Sequence, residues 1–285
     1  MAIGSIQWFP KEPLINYGGI DKNIKILDNA IMNKLKPKMI VMDLDGTLLS
    51  EDKNISEYTL SILEKCKQNN ILIGIATARS EKSSKRFTDL INPDIMILNG
   101  GALVINKNNE IIFDRFLSEK TSDGIIKECI KNHNTDKLSV HTEEKVFVNY
   151  EHQYKEYVDF TKPFKHKVFK ITLHTKDKNS LVLIEKEFPE CELMNFSDED
   201  YYVFAHKNAK KFDAINALSN KIKIHISEII SFGDDYNDIE MVKNCGIGIA
   251  MENGIDEIKN AAKYVCGNNN EDGVGKWIEE NIWLY

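Results

Sequence analysis

The sequence predicts an α/β fold, a parallel-sheet core interrupted by an inserted α+β domain. Three observations carry that reading. Apolar runs alternate with helical patterns from residue 38 to about residue 100, and again after residue 206. Such alternation marks parallel strands covered on both faces. Over residues 118–205 the rhythm changes, and strands of alternating polarity stand beside helices. Several apolar runs also end in polar clusters, at the strand ends where ligands collect in open α/β sheets.

Composition narrows the function. The chain has 285 residues, 42% hydrophobic and 28% charged. These are ordinary globular values that exclude disordered and fibrous classes, and a chain of this length accommodates two domains. A formal net charge of −7 argues against a nucleic-acid partner, although a local cation can still attract an anionic substrate. Cys66, Cys129, Cys191, Cys245 and Cys266 are scattered without CxxC spacing, which reads as buried thiols in a reducing compartment. No apolar run approaches the roughly 18 residues of a membrane span, and the start "MAIGSIQWFPKEP" lacks the features of a signal peptide. A cytoplasmic location with no membrane partner is expected; oligomeric state is not fixed by the sequence.

The elements follow in order. Within residues 1–37, Ile24, Leu27, Ile31 and Leu35 recur at helical spacing, with Asp21 as a cap, which predicts one amphipathic helix in an N-terminal extension. "MIVMD" reads as a buried strand. A helix follows with Ser56 as its N-cap, then the strand "ILIGIAT", a helix opening at Ser80, and the strand "DIMILNG". "GALVINKNNEIIFDRFL" predicts a hairpin around "NKNN". The inserted segment carries the helices "EKTSDGIIKECIKNHN" and "NSLVLIEKEF" and the strands "KLSVHT", "KVFVNY", "KVFKITLHT" and "YYVFA". The second half resumes with a helix bearing Phe212, Ile215, Leu218 and Ile222, the strand "EIISF", a helix from Asn237, the strand "GIGIAM", a helix, the short strand "YVC" and a closing helix. The domains expected are residues 38–117 with 206–285 as the core and 118–205 as the insertion.

Four stations bear chemistry. The first strand ends in Asp43, Asp45, Gly46 and Thr47; the second in Thr77 and Arg79; a helix starts near Lys210 and Lys211; and "GDDYND" supplies Asp234, Asp235, Asn237 and Asp238. Singly, Thr77 reads as a helix cap, Lys210 as a solvated side chain, and "GDDYND" as an acidic helix start. Two aspartates directly after a buried strand have no such explanation, and all four stations fall where one fold brings them together. Phosphoryl transfer through an aspartyl phosphate uses this set. Asp43 would attack phosphorus, and Asp45 would protonate the leaving oxygen and then activate water. Thr77 and Lys210 would hold the phosphoryl oxygens. Mg²⁺, a hard ion that prefers oxygen ligands, would offset the charge from Asp43 and the "GDDYND" carboxylates.

"DLDGTLL", "ATAR", Lys210 and "GDDYND" resemble the four motifs of the haloacid dehalogenase-like superfamily. The layout over residues 38–285 is similar to its Cof-type phosphatases of class IIB, with a Rossmann-like core and a large α+β cap. The resemblance implies that Asp43 is nucleophile and metal ligand. Asp45 would be the acid/base, its main-chain carbonyl facing the metal, and Asp234 and Asp238 would complete the metal station with Asn237 in the same loop. Gly46 would lie in the phosphate loop, and Asn99 with Gly100, in "LNGG", would form the turn beside the substrate. Ala78 and Lys211 stand where the family often has glycine, and register favours Lys210 over Lys211 as the phosphate clamp. The implied substrate is a small phosphorylated metabolite such as a sugar phosphate. A phosphomutase and a non-catalytic phosphometabolite sensor are the alternatives. Cap residues including Tyr150, Phe164, Lys165, His174, Tyr201 and Tyr202 are unranked candidates for specificity.

Overall fold

The computed structural model describes residues 37–131, 137–143, 145–195 and 200–282; the helix expected before residue 37 lies outside them. The chain enters β1 (Met39–Met42), all four of whose residues are buried. Helix α1 (Glu57–Gln68) begins where the Ser56 hydroxyl accepts the Thr59 N–H at 3.0 Å, and it buries Thr59, Ile62, Leu63 and Cys66 on one face. Strands β2 (Leu72–Ala76) and β3 (Ile95–Leu98) flank α2 (Glu81–Ile91), which is capped by Ser80. The hairpin β4 (Leu103–Asn106) and β5 (Ile111–Asp114) follows.

Next come α3 (Glu119–Lys131), β6 (Lys137–Thr142), β7 (Val146–Val148), β8 (Glu156–Tyr157) and β9 (Val168–His174), then α4 (Lys178–Glu187), β10 (Cys191–Asn195) and β11 (Tyr201–His206). The return half runs α5 (Lys211–Ile222), β12 (Ile229–Gly233), α6 (Ile239–Asn244), β13 (Ile247–Met251), α7 (Asp256–Ala261), β14 (Tyr264–Cys266) and α8 (Gly273–Ile282).

Among the described residues one sheet has eight strands in the order β14-β13-β12-β1-β2-β3-β4-β5. It is parallel from β14 to β3 and antiparallel across the hairpin. The chain moves outward from β1 through β2 and β3, then returns to β12 on the other side, so β1 marks the switch point where a crevice opens. Met42 lies beside Ile75 on one side and Phe232 on the other. That register brings Asp43, Thr77 and Asp234 out at one edge of the sheet.

A second sheet of six strands runs β10-β11-β9-β6-β7-β8. It packs α3 and α4 over its own core, with Leu138, Val140, Ile171 and Leu173 against Ile125, Cys129 and Ile184. The sheets meet where Phe169 and Ala205 pack with Leu98, Leu103 and Ala209, and Phe116 stacks on Phe169 with ring centroids 4.3 Å apart. All five cysteines are buried. Among the described residues no helix is long and apolar enough to cross a membrane.

Two strands escaped the sequence reading. β8 has only two residues, both exposed, and β10 is an edge strand whose partly exposed "CELMN" gives weak alternation. The helix expected from Asn237 opens instead as a 3₁₀ turn over Tyr236–Asp238, with α6 starting at Ile239. The Ser56 hydroxyl also donates to Asp272 at 2.5 Å, tying α1 to the turn before α8. Ser56→Ala is expected to cost about 1–2 kcal/mol, seen as a lower urea midpoint at unchanged m, with kcat unaltered.

Candidate active site

At the edge where β1 and β12 end, Asp43 is 6% exposed and Asp238 1%. The Lys211 Nζ donates to Asp43 Oδ1 at 2.7 Å and to Asp238 Oδ1 at 2.6 Å. The other oxygen of Asp238 accepts the N–H groups of Asp234 and Asp235 at 3.2 and 3.4 Å, fixing the loop after β12. The Thr47 hydroxyl donates to Asp234 Oδ1 at 2.7 Å. Between them passes Gly46, at φ +78°, where a Cβ would lie 2.1 Å from Asp234 Oδ2; only glycine leaves that carboxylate its place. Carboxylate oxygens of Asp43, Asp234 and Asp238 lie within 4.8 Å of one another.

The rim is built from the next strand ends. The Asp45 carboxylate is gripped by Arg79, Nε to Oδ2 at 2.6 Å and Nη2 to Oδ1 at 2.7 Å, and by Lys53 Nζ at 2.8 Å. Buried Thr77 accepts the Arg79 N–H on its hydroxyl at 3.2 Å. The "LNGG" turn is laced to this loop: Asn99 N–H donates to the Arg79 carbonyl at 2.9 Å and Gly100 N–H to the Thr77 carbonyl at 3.0 Å. Gly101, at φ +111°, lets the turn approach the Lys210 carbonyl, which a Cβ would meet at 2.3 Å.

The electrostatics are unbalanced. Burial pushes the Asp43 carboxyl up to about 8, with Lys211 opposing and Asp238 and Asp234 adding to the rise. Burial likewise raises Asp234, to about 6. Burial works against the Lys211 charge, but Asp238 and Asp43 outweigh it and hold the ammonium above its ordinary range. One lysine is thus shared between two buried carboxylates with a third nearby, and the cluster lacks positive charge. A divalent cation fits this donor set of hard oxygens, and Asp43, Asp234 and Asp238 are the residues that would hold it.

Above the cluster, between the two sheets, lies a cavity of 590 Å³. Asn99, Gly100, Lys211 and Asn237 reach it from the core, and Lys170, Glu192 and Tyr201 from the second sheet. Residues 40–278 match the model of the haloacid dehalogenase-like hydrolase family. The chain belongs to this family.

A Haemophilus influenzae relative provisionally named a phosphatase is 27% identical over 258 residues, covering 86% of this chain and 98% of its own. A 5-amino-6-(5-phospho-D-ribitylamino)uracil phosphatase of Bacillus subtilis is 25% identical over 273 residues, covering 87% and 99%. A solved structure described as a subclass IIB sugar phosphatase superposes with a TM-score of 0.71 at 24% identity, over 85% of this chain and 98% of that one; at that identity the likeness speaks to the fold. This hydrolase is an enzyme of the phosphoric monoester class.

The hydrolase's sequence-predicted site residues lie at this edge of the sheet, with Lys210 turned elsewhere. Lys210 does not reach the carboxylates; its Nζ pairs with Glu192 of the second sheet at 3.0 Å. Lys210 is the N-cap of α5, still extended, whereas Lys211 is its first helical residue and lies on the buried face with Ala214, Ile215 and Leu218. Lys211, not the Lys210 that family register favours, meets the carboxylates, and the helical spacing 211, 214, 215, 218 places it on the buried face. Asp45, expected to face the metal through its main-chain carbonyl, turns its side chain to Arg79 and Lys53. Of the cap candidates, Tyr201 lines the cavity, while Phe164 and Tyr202 are buried in the core of the second sheet. Lys170, at the cavity, was missed because a charged residue on an alternating strand reads as a solvated face, and Glu192, also at the cavity, because its strand β10 was itself not read.

Lys211→Met is expected to lower kcat about 100-fold or more and to destabilise the fold by about 3–5 kcal/mol, because two buried carboxylates lose their counter-charge. Lys210→Met is expected to cost less than about tenfold in kcat; steady-state kinetics and melting curves separate the two. Asp43 and Asp234 bind protons more tightly folded than unfolded. Metal-free stability therefore falls as pH rises from about 4, where unfolded aspartate titrates, to about 8. Asp43→Asn is expected to flatten that slope and raise the melting temperature at pH 8 in chelator.

Proposed function

We propose that the chain is a Mg²⁺-dependent phosphatase that moves the phosphoryl group of a small metabolite first to Asp43 and then to water. The observation that carries this reading is the meeting of Asp43, Asp234, Asp238 and Lys211 beneath a cavity large enough for a metabolite. Asp43 stands at the end of a buried strand and is the nucleophile, its Oδ attacking phosphorus to form an aspartyl phosphate. Lys211 and Thr77 hold the phosphoryl oxygens, and Asn99, Gly100 and Asn237 line the approach. Asp43, Asp234 and Asp238 hold Mg²⁺, which when bound offsets the negative charge that otherwise keeps a carboxylate away from phosphate.

Asp45 is the acid/base. The Arg79 hydrogen bonds hold its carboxyl down to about 2, which suits a resting carboxylate and not a proton donor. It therefore exchanges Arg79 for the ester oxygen before it delivers a proton, then takes one from the attacking water. Residues 118–205 act as a cap that covers the leaving group and excludes bulk water. Their side chains set specificity within sugar phosphates and similar cytoplasmic metabolites. The Bacillus subtilis relative, named for a phosphatase activity on a phosphorylated ribityl compound, supports that range.

The purified chain is expected to release phosphate from p-nitrophenyl phosphate, to stop in chelator and to resume with Mg²⁺. Asp43→Asn is expected to reduce turnover by about 1,000-fold or more with its circular dichroism unchanged. Turnover that survives either treatment contradicts the proposal.

A further inference from the structure

Two cap side chains reach the core beside the residues assigned to the phosphoryl group. The Glu192 carboxylate meets Lys210, next to Lys211, at 3.0 Å. The Lys170 Nζ, carried on β9, donates to the main-chain carbonyl of Ala78, next to Thr77, at 3.2 Å. Both line the cavity. Their charge states differ. Lys210 is matched by Glu192, and Lys211 by Asp43 and Asp238. Among the described residues Lys170 has no carboxylate at ion-pair distance; its polar partner is the Ala78 carbonyl. Burial alone lowers its ammonium to about 8. His141, which feels the Lys170 charge, is pushed down to about 3 by burial and by Lys170 and Lys155, so it stays neutral and cannot act as a counter-ion.

An ammonium has three N–H donors, and the Ala78 carbonyl takes one. The remaining two are available to a ligand in the cavity, whose walls also include Leu193, Met194 and Val203. A half-buried cation without a counter-ion is costly unless a ligand brings one. We propose that Lys170 binds an anionic substituent, a carboxylate or a second phosphoryl group, on the leaving group of the substrate. The proposal rests on the phosphatase reading and narrows it to metabolites that carry a negative charge besides the scissile phosphate. Glu192 tempers the cavity on the Lys210 side, so the attraction is localised at Lys170.

The test compares substrate pairs with the full chain and Mg²⁺. Glycerol 3-phosphate and 3-phosphoglycerate differ by a hydroxymethyl against a carboxylate. Fructose 6-phosphate and fructose 1,6-bisphosphate differ by the second phosphoryl group, so the pair that discriminates identifies the anion. The wild type is expected to favour the acidic partner of one pair by about tenfold to a hundredfold in kcat/KM, the range for a hydrogen bond to a charged group. Lys170→Met is expected to remove that preference, chiefly through KM, and Lys170→Arg to keep part of it. Should Lys170→Met lose its fold, Lys170→Gln, which can still donate to the Ala78 carbonyl, serves in its place. Absence of preference in both pairs, with p-nitrophenyl phosphate still turned over, overturns this proposal alone. A preference that survives in folded Lys170→Met or Lys170→Gln overturns it too. Failure to hydrolyse p-nitrophenyl phosphate overturns the phosphatase reading and this proposal together.

Discussion

The structure turns on one ammonium group held between two buried carboxylates. Lys211 lies almost wholly out of solvent, bonded to Asp43 and Asp238, and neither acid could stand where it does without it. A carboxylate at the end of a four-residue apolar strand has no water to solvate it, and its desolvation exceeds what an isolated pair repays. The lysine meets part of that cost and leaves a deficit, visible in the raised Asp43 and Asp234 carboxyls. The deficit is what makes the cluster a place for a cation and an anionic substrate. A site fully neutralised by its own side chains would have little reason to bind either.

The topology explains why these groups meet. Asp43, Thr77 and Asp234 are far apart in the chain but follow strands that pair in register around β1. Parallel pairing aligns the carboxyl ends, so residues just past each strand share an edge without any long-range instruction beyond the hydrophobic pattern. Backbone conformations then tune the approach. Gly46 clears space for Asp234, and Gly101 lets the turn after β3 press against the chain at Lys210. Asp238 performs a different service: bonded to two N–H groups of its own loop and to Lys211, it couples the shape of that loop to the position of the shared cation.

Much of this was legible in the residues. The strands "MIVM", "LIGIA", "IISFG" and "IGIAM" announced themselves as unbroken apolar runs, and Ser56 and Ser80 announced the helices they cap. Convergence of the acidic stations followed from the sheet rule. What failed did so for local reasons. β10 was invisible because an edge strand with one wet face carries little alternation. That Lys211 rather than Lys210 meets the carboxylates was hidden because adjacent lysines differ only in which side of α5 they face, a question that motif spacing does not address and helical periodicity does. The grip of Arg79 on Asp45 was hidden because the sequence shows a polar residue at each strand end and not which of several partners it takes.

That grip bears on the oldest puzzle of the stretch "DLDGT", two aspartates one residue apart. The pair sits in opposite environments: burial drives Asp43 up to about 8 while Arg79 draws Asp45 down to about 2. Divergent carboxyl environments ordinarily assign roles, yet here each acid leans away from its proposed task, because a nucleophile wants to be ionised and a proton donor wants its proton. Each tendency would be reversed by a different ligand. A cation beside Asp43 favours its carboxylate, and an ester that draws Asp45 off Arg79 returns its carboxyl toward an ordinary acidity. Under the proposed mechanism, both aspartates would reach their working charge states only when those ligands are bound. The adjacency of the two acids thus places two opposite environments, one buried and one gripped by Arg79, just past the end of a single strand.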